Sequence, residues 1–301
     1  MLKRSVFALA LALAAATVAA LTGCSAGSAA DDGKVRVVAS TNVYGDIAST
    51  IAGNAVEVTA LMSDPAQDPH SFEASAQSQL AVSKADILIE NGGGYDDFMN
   101  TLRTGSKNTK ATVLNVVDVS GRNAGGGELN EHVWYDFPTI QKFTTALTDA
   151  LSKADPAQKA TFAKNAAAFS GKLAALQARE AELKAQYAGE GVAITEPVPL
   201  YLLEASGLVN KTPEKFSAAI EAGTDVSPLV LQQTLALFSG HRVRLLAYNE
   251  QTSGPETDRV RAAAAAAGIP VVPVTETLPK GKDYVSWMNA NLDAVGAALA
   301  K

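Results

Sequence analysis

The sequence has a single cysteine among its 301 residues. No disulfide within the chain is therefore possible, and its stability must come from packing alone. The sequence also lacks an excess of basic residues, because 25 lysines and arginines stand against 31 aspartates and glutamates. A nucleic-acid backbone is bound by lysine and arginine clustered on one face, so this composition indicates no nucleic-acid partner.

The one cysteine, Cys24, lies directly after a short cationic start and an apolar segment over residues 6–21. The segment ends in the letters LTGC, a small-residue cleavage site, without the polar anchors that flank a membrane span. A chance cysteine in an N-terminal anchor helix is the alternative. The pattern predicts a signal peptide over residues 1–23, a lipidated linker over 24–33, and a lipid anchor on Cys24 at the extracytoplasmic face of the cell membrane.

Short apolar runs alternate with helix-like stretches after the linker. The runs predict strands at 35–40, 56–62, 86–90 and 112–119, and the stretches between them predict helices at 44–53, 74–84 and 95–104. The same alternation returns near the end of the chain, with strands predicted at 191–195, 242–248 and 271–276. This order is typical of parallel sheets flanked by helices.

Between the two alternating regions the sequence shows no strand signal. It is rich in alanine, leucine, lysine and glutamate, and Asp155 and Pro156 are placed to cap and open a helix that extends to about Gln186. Such a helix is about 45 Å long. The predicted fold is therefore α/β, with two lobes over 34–137 and 190–301, joined across a cleft by rigid linking helices within 138–189.

Histidine is rare, and the three histidines lie in different settings. His70 is on a loop stiffened by two prolines, and His132 lies between a glycine-rich loop and a predicted helix. Each of them alone would more often be a surface group. His241 falls at a predicted helix C terminus, where a cation complements the helix dipole, so it is interpreted as a surface residue.

Three strings carry a resemblance to a known family. They are PHSFE at 69–73, KADILIENG at 84–92, and HVWYD at 132–136, the last followed by a helix to Asp155. In this order, behind a lipobox and ahead of a long helix, they resemble the metal-binding lipoproteins of bacterial zinc and manganese ABC importers. The resemblance covers essentially the whole mature chain, and it implies a metal ion bound in the cleft between the lobes.

In that family two histidines of the first lobe and two side chains of the second lobe bind one divalent ion. The resemblance implies His70 and His132 as the first pair, Glu196 as the third ligand and Glu276 as the fourth. The family more often has aspartate at the fourth position, so Glu276 departs from the pattern. Glu250, which follows another strand, is the reserve candidate, either as a ligand or as a residue that orients a ligating histidine.

The two glutamates can also be judged from the residues alone. Glu196 and Glu276 each follow an apolar strand, so both are expected at strand carboxyl ends, where open α/β sheets place their ligands. The alternatives are a carboxylate favoured by a helix N terminus for Glu196 and a plain surface residue for Glu276.

Two imidazoles and two carboxylates, without thiolate, suit Mn²⁺, Zn²⁺ or Fe²⁺. In the family this donor set is associated with manganese, and a long histidine-rich loop with some zinc-binding members. Segment 120–130 lacks such a loop. The resemblance therefore favours Mn²⁺ slightly over Zn²⁺ as the transported ion.

The sequence thus predicts a monomeric, extracytoplasmic solute-binding lipoprotein that delivers a divalent metal to the permease of an ABC importer. A lipid-anchored metal-storage or adhesion protein and a metallohydrolase are the alternatives. Catalytic zinc needs an open position for water beside a base, and the helical His-Glu-x-x-His motif is missing. We therefore do not expect an enzyme.

Overall fold

Two parallel sheets of four strands each organise the part of the chain that the computed structural model describes, which is residues 33–64, 72–122 and 129–301. The first sheet contains β1 (Val35–Thr41), β2 (Val56–Met62), β3 (Ile87–Glu90) and β4 (Thr112–Asn115), in the order β2-β1-β3-β4. The second contains β5 (Gly191–Ile194), β6 (Val209–Asn210), β7 (Leu246–Asn249) and β8 (Val271–Val274), in the order β6-β5-β7-β8. We call each sheet with its flanking helices the first and the second lobe.

The helices of the first lobe follow its strands. They are α1 (Asn42–Ala52), α2 (Ala76–Lys84), α3 (Phe98–Ser106) and α4 (Val116–Ser120). All four residues of β3 and six of the seven in β1 are buried, as expected for parallel strands that are covered on both faces. The predicted alternation of strands and helices is therefore confirmed in this lobe.

One predicted strand is shorter than expected. The sequence predicts a strand over 112–119, but β4 ends at Asn115 and α4 begins at Val116. The side chain of Asn115 accepts a hydrogen bond from the backbone N–H of Asp118 at 3.0 Å and so caps the helix. Asparagine favours this N-cap position, and its local hydrogen bond outweighs the strand preference of the valines that follow.

Two helices lie between the lobes in sequence, α5 (Phe137–Ala154) and α6 (Lys159–Tyr187). Asp155 caps the short 3₁₀ turn before α6 by accepting from the backbone N–H of Ala157, as predicted. The 29 residues of α6 make it about 44 Å long. Its buried side chains recur at helical spacing, which fixes the face that packs on the core: Phe162, Phe169, Leu173, Leu176 and Glu180.

The second lobe contains five helices within the described residues. They are α7 (Leu200–Ala205), α8 (Glu214–Glu221), α9 (Pro228–Ser239), α10 (Pro255–Ala266) and α11 (Tyr284–Leu299). Ser227 and Asp283 cap α9 and α11 with their side chains. Within the described parts of the chain, no helix combines the length and the apolar character needed to cross a membrane.

The largest group of buried apolar side chains is shared by the two lobes. It extends from the first sheet through α5 and α6 to α11 and the second sheet. Aromatic rings occupy its centre, where Tyr135 and Tyr284 both contact the ring of Trp287 edge to face. A shared core of this kind resists separation of the lobes, because opening it would expose apolar surface to water.

Hydrogen bonds also join the lobes directly. Asn42, at the start of α1, donates to the carbonyl of Leu278 at 3.0 Å and accepts from its N–H at 2.9 Å. The hydroxyl of Tyr284 donates to the carbonyl of Trp134 at 2.6 Å, and that of Tyr135 donates to the carbonyl of Thr275 at 2.8 Å. These bonds hold the segment around residue 276 against the segment around residue 132.

Candidate metal site

Several polar side chains meet where strands of the second sheet end. Glu196 lies two residues after β5, Glu276 lies two residues after β8, and Asn249 is the last residue of β7. The side chain of His132 approaches them from the first lobe, just before the 3₁₀ turn Val133–Tyr135. All four residues are buried. Both glutamates therefore lie at strand carboxyl ends, as the sequence predicts.

His132 and Glu276 face each other across the lobes. The Nε2 atom of His132 lies 4.0 Å from the Oε2 atom of Glu276, and each side chain is only 1% exposed. An ion with tetrahedral bonds of about 2.1 Å separates its donors by about 3.4 Å, so this spacing is close to what one ion requires. The ring of Trp134 packs on the imidazole, with centroids 5.0 Å apart.

One amide holds both glutamates. The Nδ2 atom of Asn249 donates to Oε2 of Glu196 at 2.6 Å and to Oε1 of Glu276 at 2.8 Å. The hydroxyl of Thr252 also donates to Glu196. Two buried carboxylates at one donor repel each other, and a cation between them would remove this cost.

Tyr95 and Gln251 complete the surroundings of Glu276. Burial and the negative charge of Glu276 raise the pKa of the Tyr95 hydroxyl well above its usual range, so this hydroxyl keeps its proton. The side-chain oxygen of Gln251 accepts from the backbone N–H of Glu276 at 2.6 Å. The strand end that carries Glu276 is thus fixed both by its backbone and by its neighbours.

A second group of carboxylates lies on the other side of His132. Glu131, His132 and Glu221 each offer one ligand atom, and these atoms all lie within 4.8 Å of one another. Oε1 of Glu221 is 3.7 Å from Nδ1 of His132. Burial and the neighbouring charge of Glu131 raise the pKa of Glu221 to about 9. Both glutamates also line a cavity of about 760 Å³.

Glu131 and Glu221 were not among the residues that sequence reasoning selected. Glu131 is adjacent to His132, so its place in the sequence was an available signal. Glu221 is the last residue of α8, a helix that the sequence did not predict, and nothing in the pattern brought it near the histidine. Asn249 was also missed, although it lies at the carboxyl end of a strand, where ligand-binding residues are expected in such sheets.

Of the remaining predicted residues, Glu250 and His241 are exposed. Glu250 is exposed to solvent, and its backbone N–H donates to the carbonyl of Val274 at 3.1 Å. His241 is exposed in a turn with a positive φ of 47° after α9, in agreement with its interpretation as a surface residue. His70 and Cys24 lie outside the described residues, so their predicted roles stay predictions.

The chain is similar to known proteins over most of its length. The family model of ZnuA, described as the periplasmic component A of the zinc-uptake complex, matches residues 37–298. The manganese ABC transporter substrate-binding lipoprotein scaA of Streptococcus gordonii is 24% identical, with 100% of both chains covered. The manganese-binding lipoprotein MntA of Bacillus subtilis is 33% identical over 49% of this chain and 50% of its own.

A solved structure shows the same fold. The periplasmic zinc-binding protein TroA of Treponema pallidum superimposes with a TM-score of 0.74 at 22% sequence identity, covering 89% of this chain and 100% of its own. Since the family model spans most of the chain, the protein belongs to the ZnuA family of metal-binding substrate-binding proteins of ABC transporters.

Proposed function

We propose that the protein is an extracytoplasmic lipoprotein that captures one divalent transition-metal ion and delivers it to the permease of an ABC importer. The observation that supports this most directly is the approach of His132, Glu196 and Glu276 from two lobes to one buried position. Buried carboxylates beside an imidazole offer the hard and borderline donors that such ions prefer.

The proposed ligands are His70, His132, Glu196 and Glu276. The first two belong to the lobe proposed over 34–137 and the last two to the lobe proposed over 190–301, with 138–189 linking them. Four protein groups would surround the ion and leave no open position for a reactive water, which argues for capture rather than catalysis. We therefore propose no enzymatic activity.

We propose Mn²⁺ as the ion, with Zn²⁺ as its competitor. The relatives scaA and MntA are named for manganese, whereas TroA is named for zinc. The two carboxylates are compatible with manganese, because a carboxylate that binds with both oxygens supplies additional oxygen ligands, which this ion prefers. Zinc binds more tightly to almost any such set, so selectivity in the cell would depend on geometry and metal availability.

In the proposed mechanism the ion enters between the lobes and neutralises Glu196 and Glu276, the two carboxylates that the amide of Asn249 bridges. The shared core and the double hydrogen bond between Asn42 and Leu278 favour small movements over wide opening. Docking on the permease would then shift the second lobe enough to release the ion.

The proposed lipid anchor is Cys24, which would keep the protein near its permease and raise the effective concentration of the captured ion. Replacing Cys24 by alanine is expected to release the protein from the membrane or to leave the signal uncleaved. Membrane fractionation and lipid labelling of both forms measure this. Unchanged fractionation and labelling would show that the anchor is elsewhere.

The central test is binding to demetallated protein. A ligand that binds only the folded state stabilises it by about 4 kcal/mol at a thousandfold excess over Kd. Calorimetry with Mn²⁺ and with Zn²⁺ should therefore show a marked rise in melting temperature, with one ion bound per chain by elemental analysis. If neither ion shifts the melting temperature, the proposed function is wrong.

A further inference from the structure

Asn130 contacts both lobes at the edge of the metal site. Its Oδ1 atom accepts from the backbone N–H of His132 at 3.1 Å and lies 2.8 Å from Nδ1 of the same residue. Its Nδ2 atom donates to the carbonyl of Pro197, the residue after Glu196, at 3.0 Å. Its own carbonyl accepts from the hydroxyl of Tyr201 at 2.8 Å. One residue thus joins the histidine of the first lobe to the glutamate segment of the second.

These contacts fix which way the Asn130 amide points. A backbone N–H can only donate, so the atom facing the N–H of His132 must be the oxygen. A carbonyl can only accept, so the atom facing Pro197 must be the NH₂ group. Both requirements are met by one orientation of the side chain, and no flip satisfies either of them.

The tautomer of His132 follows from this orientation. The amide oxygen of Asn130 is an acceptor, so the Nδ1 atom at 2.8 Å must carry the hydrogen. A neutral imidazole has one N–H, which leaves the lone pair on Nε2. That atom faces Glu276 at 4.0 Å, where the ion is proposed to bind. Oε1 of Glu221 lies 3.7 Å from Nδ1 on the same side, beyond hydrogen-bond distance.

We propose that Asn130 is a positioning residue with two functions. It holds His132 in the Nδ1–H tautomer with Nε2 directed at the ion, and it ties this histidine to the backbone that carries Glu196. The two halves of the site are thereby set against each other before the ion arrives. This inference rests on the proposed function, since it concerns how that site is held ready.

Three variants separate the two functions. Asn130→Ala removes the acceptor for His132 and the donor to Pro197. Asn130→Asp keeps an acceptor for His132 but places an oxygen against the carbonyl of Pro197. Tyr201→Phe removes only the hydrogen bond from this hydroxyl to the carbonyl of Asn130, and the ring can still stack under Arg122, whose guanidinium lies 4.2 Å from the ring centroid. It is the matched control.

The tautomer is measured on demetallated, ¹⁵N-histidine-labelled protein by long-range ¹H–¹⁵N NMR, with His70 and His241 as internal references. We expect a Nδ1–H signature for His132 in the wild type, in Asn130→Asp and in Tyr201→Phe, and a mixture of tautomers in Asn130→Ala. Thermal unfolding of each variant checks that it is folded. A His132 that stays in the Nδ1–H form in Asn130→Ala would assign this function to Glu221 and overturn the proposal.

Metal affinity is measured by titration with Mn²⁺ and with Zn²⁺. Loss of a side chain that orients a ligating histidine typically costs about 10- to 100-fold in affinity. We expect a loss in this range for Asn130→Ala, a smaller loss for Asn130→Asp, and a change of less than about threefold for Tyr201→Phe. Equal affinity of wild type and Asn130→Ala overturns the inference alone, whereas a wild type that binds neither ion overturns the proposed function.

Discussion

The Nε2 atom of His132 and the Oε2 atom of Glu276 lie 4.0 Å apart, although the two residues belong to different lobes. Neither side chain is exposed by more than 1%, so bulk water does not stabilise the charge of Glu276. The approach is maintained by hydrogen bonds between the lobes on each side of it, from Tyr135 to Thr275 and from Asn42 to Leu278. A cation would find both donors already in place.

Replacing Glu276 by glutamine tests the least typical ligand. Glutamine keeps the size of the side chain but removes its charge, so the proposed ion would lose one anionic donor. We expect the affinity for Mn²⁺ and Zn²⁺ to fall by more than about tenfold while the fold survives. Glu276→Asp should be milder and change the ratio of the two affinities, because a shorter carboxylate alters how many oxygens reach the ion.

Glu250→Gln is the matched control for this experiment. Glu250 follows β7 as Glu276 follows β8, but its side chain is exposed. Titration of Glu250→Gln should therefore give the affinity of the wild type. Normal binding by Glu276→Gln together with weak binding by Glu250→Gln would move the fourth ligand to the other strand.

The histidines provide a second contrast. His132→Ala and His70→Ala should each weaken metal binding by more than about tenfold, because each would remove an imidazole donor. His241→Asn should bind as the wild type does, since His241 is exposed, and asparagine tolerates its positive φ of 47°. Competition titration measures all three variants. A loss of affinity in His241→Asn would contradict the proposed position of the site.

The burial of the two glutamates at strand ends was predictable from the sequence for a simple reason. Glu196 and Glu276 each follow a buried run of apolar residues, and parallel strands bring their carboxyl ends to one edge of the sheet. Both side chains are buried there. The strand pattern does not predict the hydrogen-bond donor to these carboxylates. In the sequence, Asn249 resembles any asparagine at the end of a strand.

Glu250 was considered because it is a carboxylate that follows a strand, but its neighbour Asn249 is the residue that contacts the two glutamates. The sequence predicts a strand over 242–248, whereas β7 spans Leu246–Asn249. Side chains alternate between the two sides of a strand, so neighbouring residues at its end point in opposite directions. Asn249 is buried against both glutamates and Glu250 is exposed. Periodicity alone does not locate a strand end to within one residue.

The second group of carboxylates was not predictable in the same way. The position of Glu221 near His132 depends on β6 and α8. The two residues of β6 are too few to show alternation. The eight residues of α8 give only two helical turns of pattern. The contact with His132 depends on how these short elements pack, which is a tertiary property that local sequence does not contain.

Replacing Asn249 by leucine tests the amide that bridges the two carboxylates. Removing its donor leaves two buried carboxylates with one hydrogen bond fewer each, at a cost of about 1.5–3 kcal/mol for each hydrogen bond lost to a charged group. The demetallated variant should therefore melt well below the wild type. The gain in melting temperature on adding metal should be larger than in the wild type, because the ion neutralises the same carboxylates. Calorimetry that finds equal losses with and without metal would contradict this explanation.

Glu180 gives a prediction on pH that does not depend on metal. It lies on the buried face of α6 and is 5% exposed. Burial, with a smaller contribution from the charge of Asp136, raises its pKa from 4.5 to about 8. Below pH 4.5 both the folded and the unfolded chain carry this proton, and the contribution to stability is fully present. As the pH rises through 8 that contribution is lost, because the unfolded chain releases the proton more readily.

Glu180→Gln should remove this dependence, since the amide of glutamine does not titrate between pH 5 and pH 9. We expect the melting temperature of the demetallated variant, relative to the wild type, to rise steadily between about pH 5 and pH 8.5, where each kcal/mol corresponds to about 2–4 °C in a chain of this size. Glu182→Gln, at an exposed position on the same helix, is the control and should show no such trend. A difference between Glu180→Gln and the wild type that stays constant across this range would mean that Glu180 is ionised in the folded protein, and that α6 accommodates its charge.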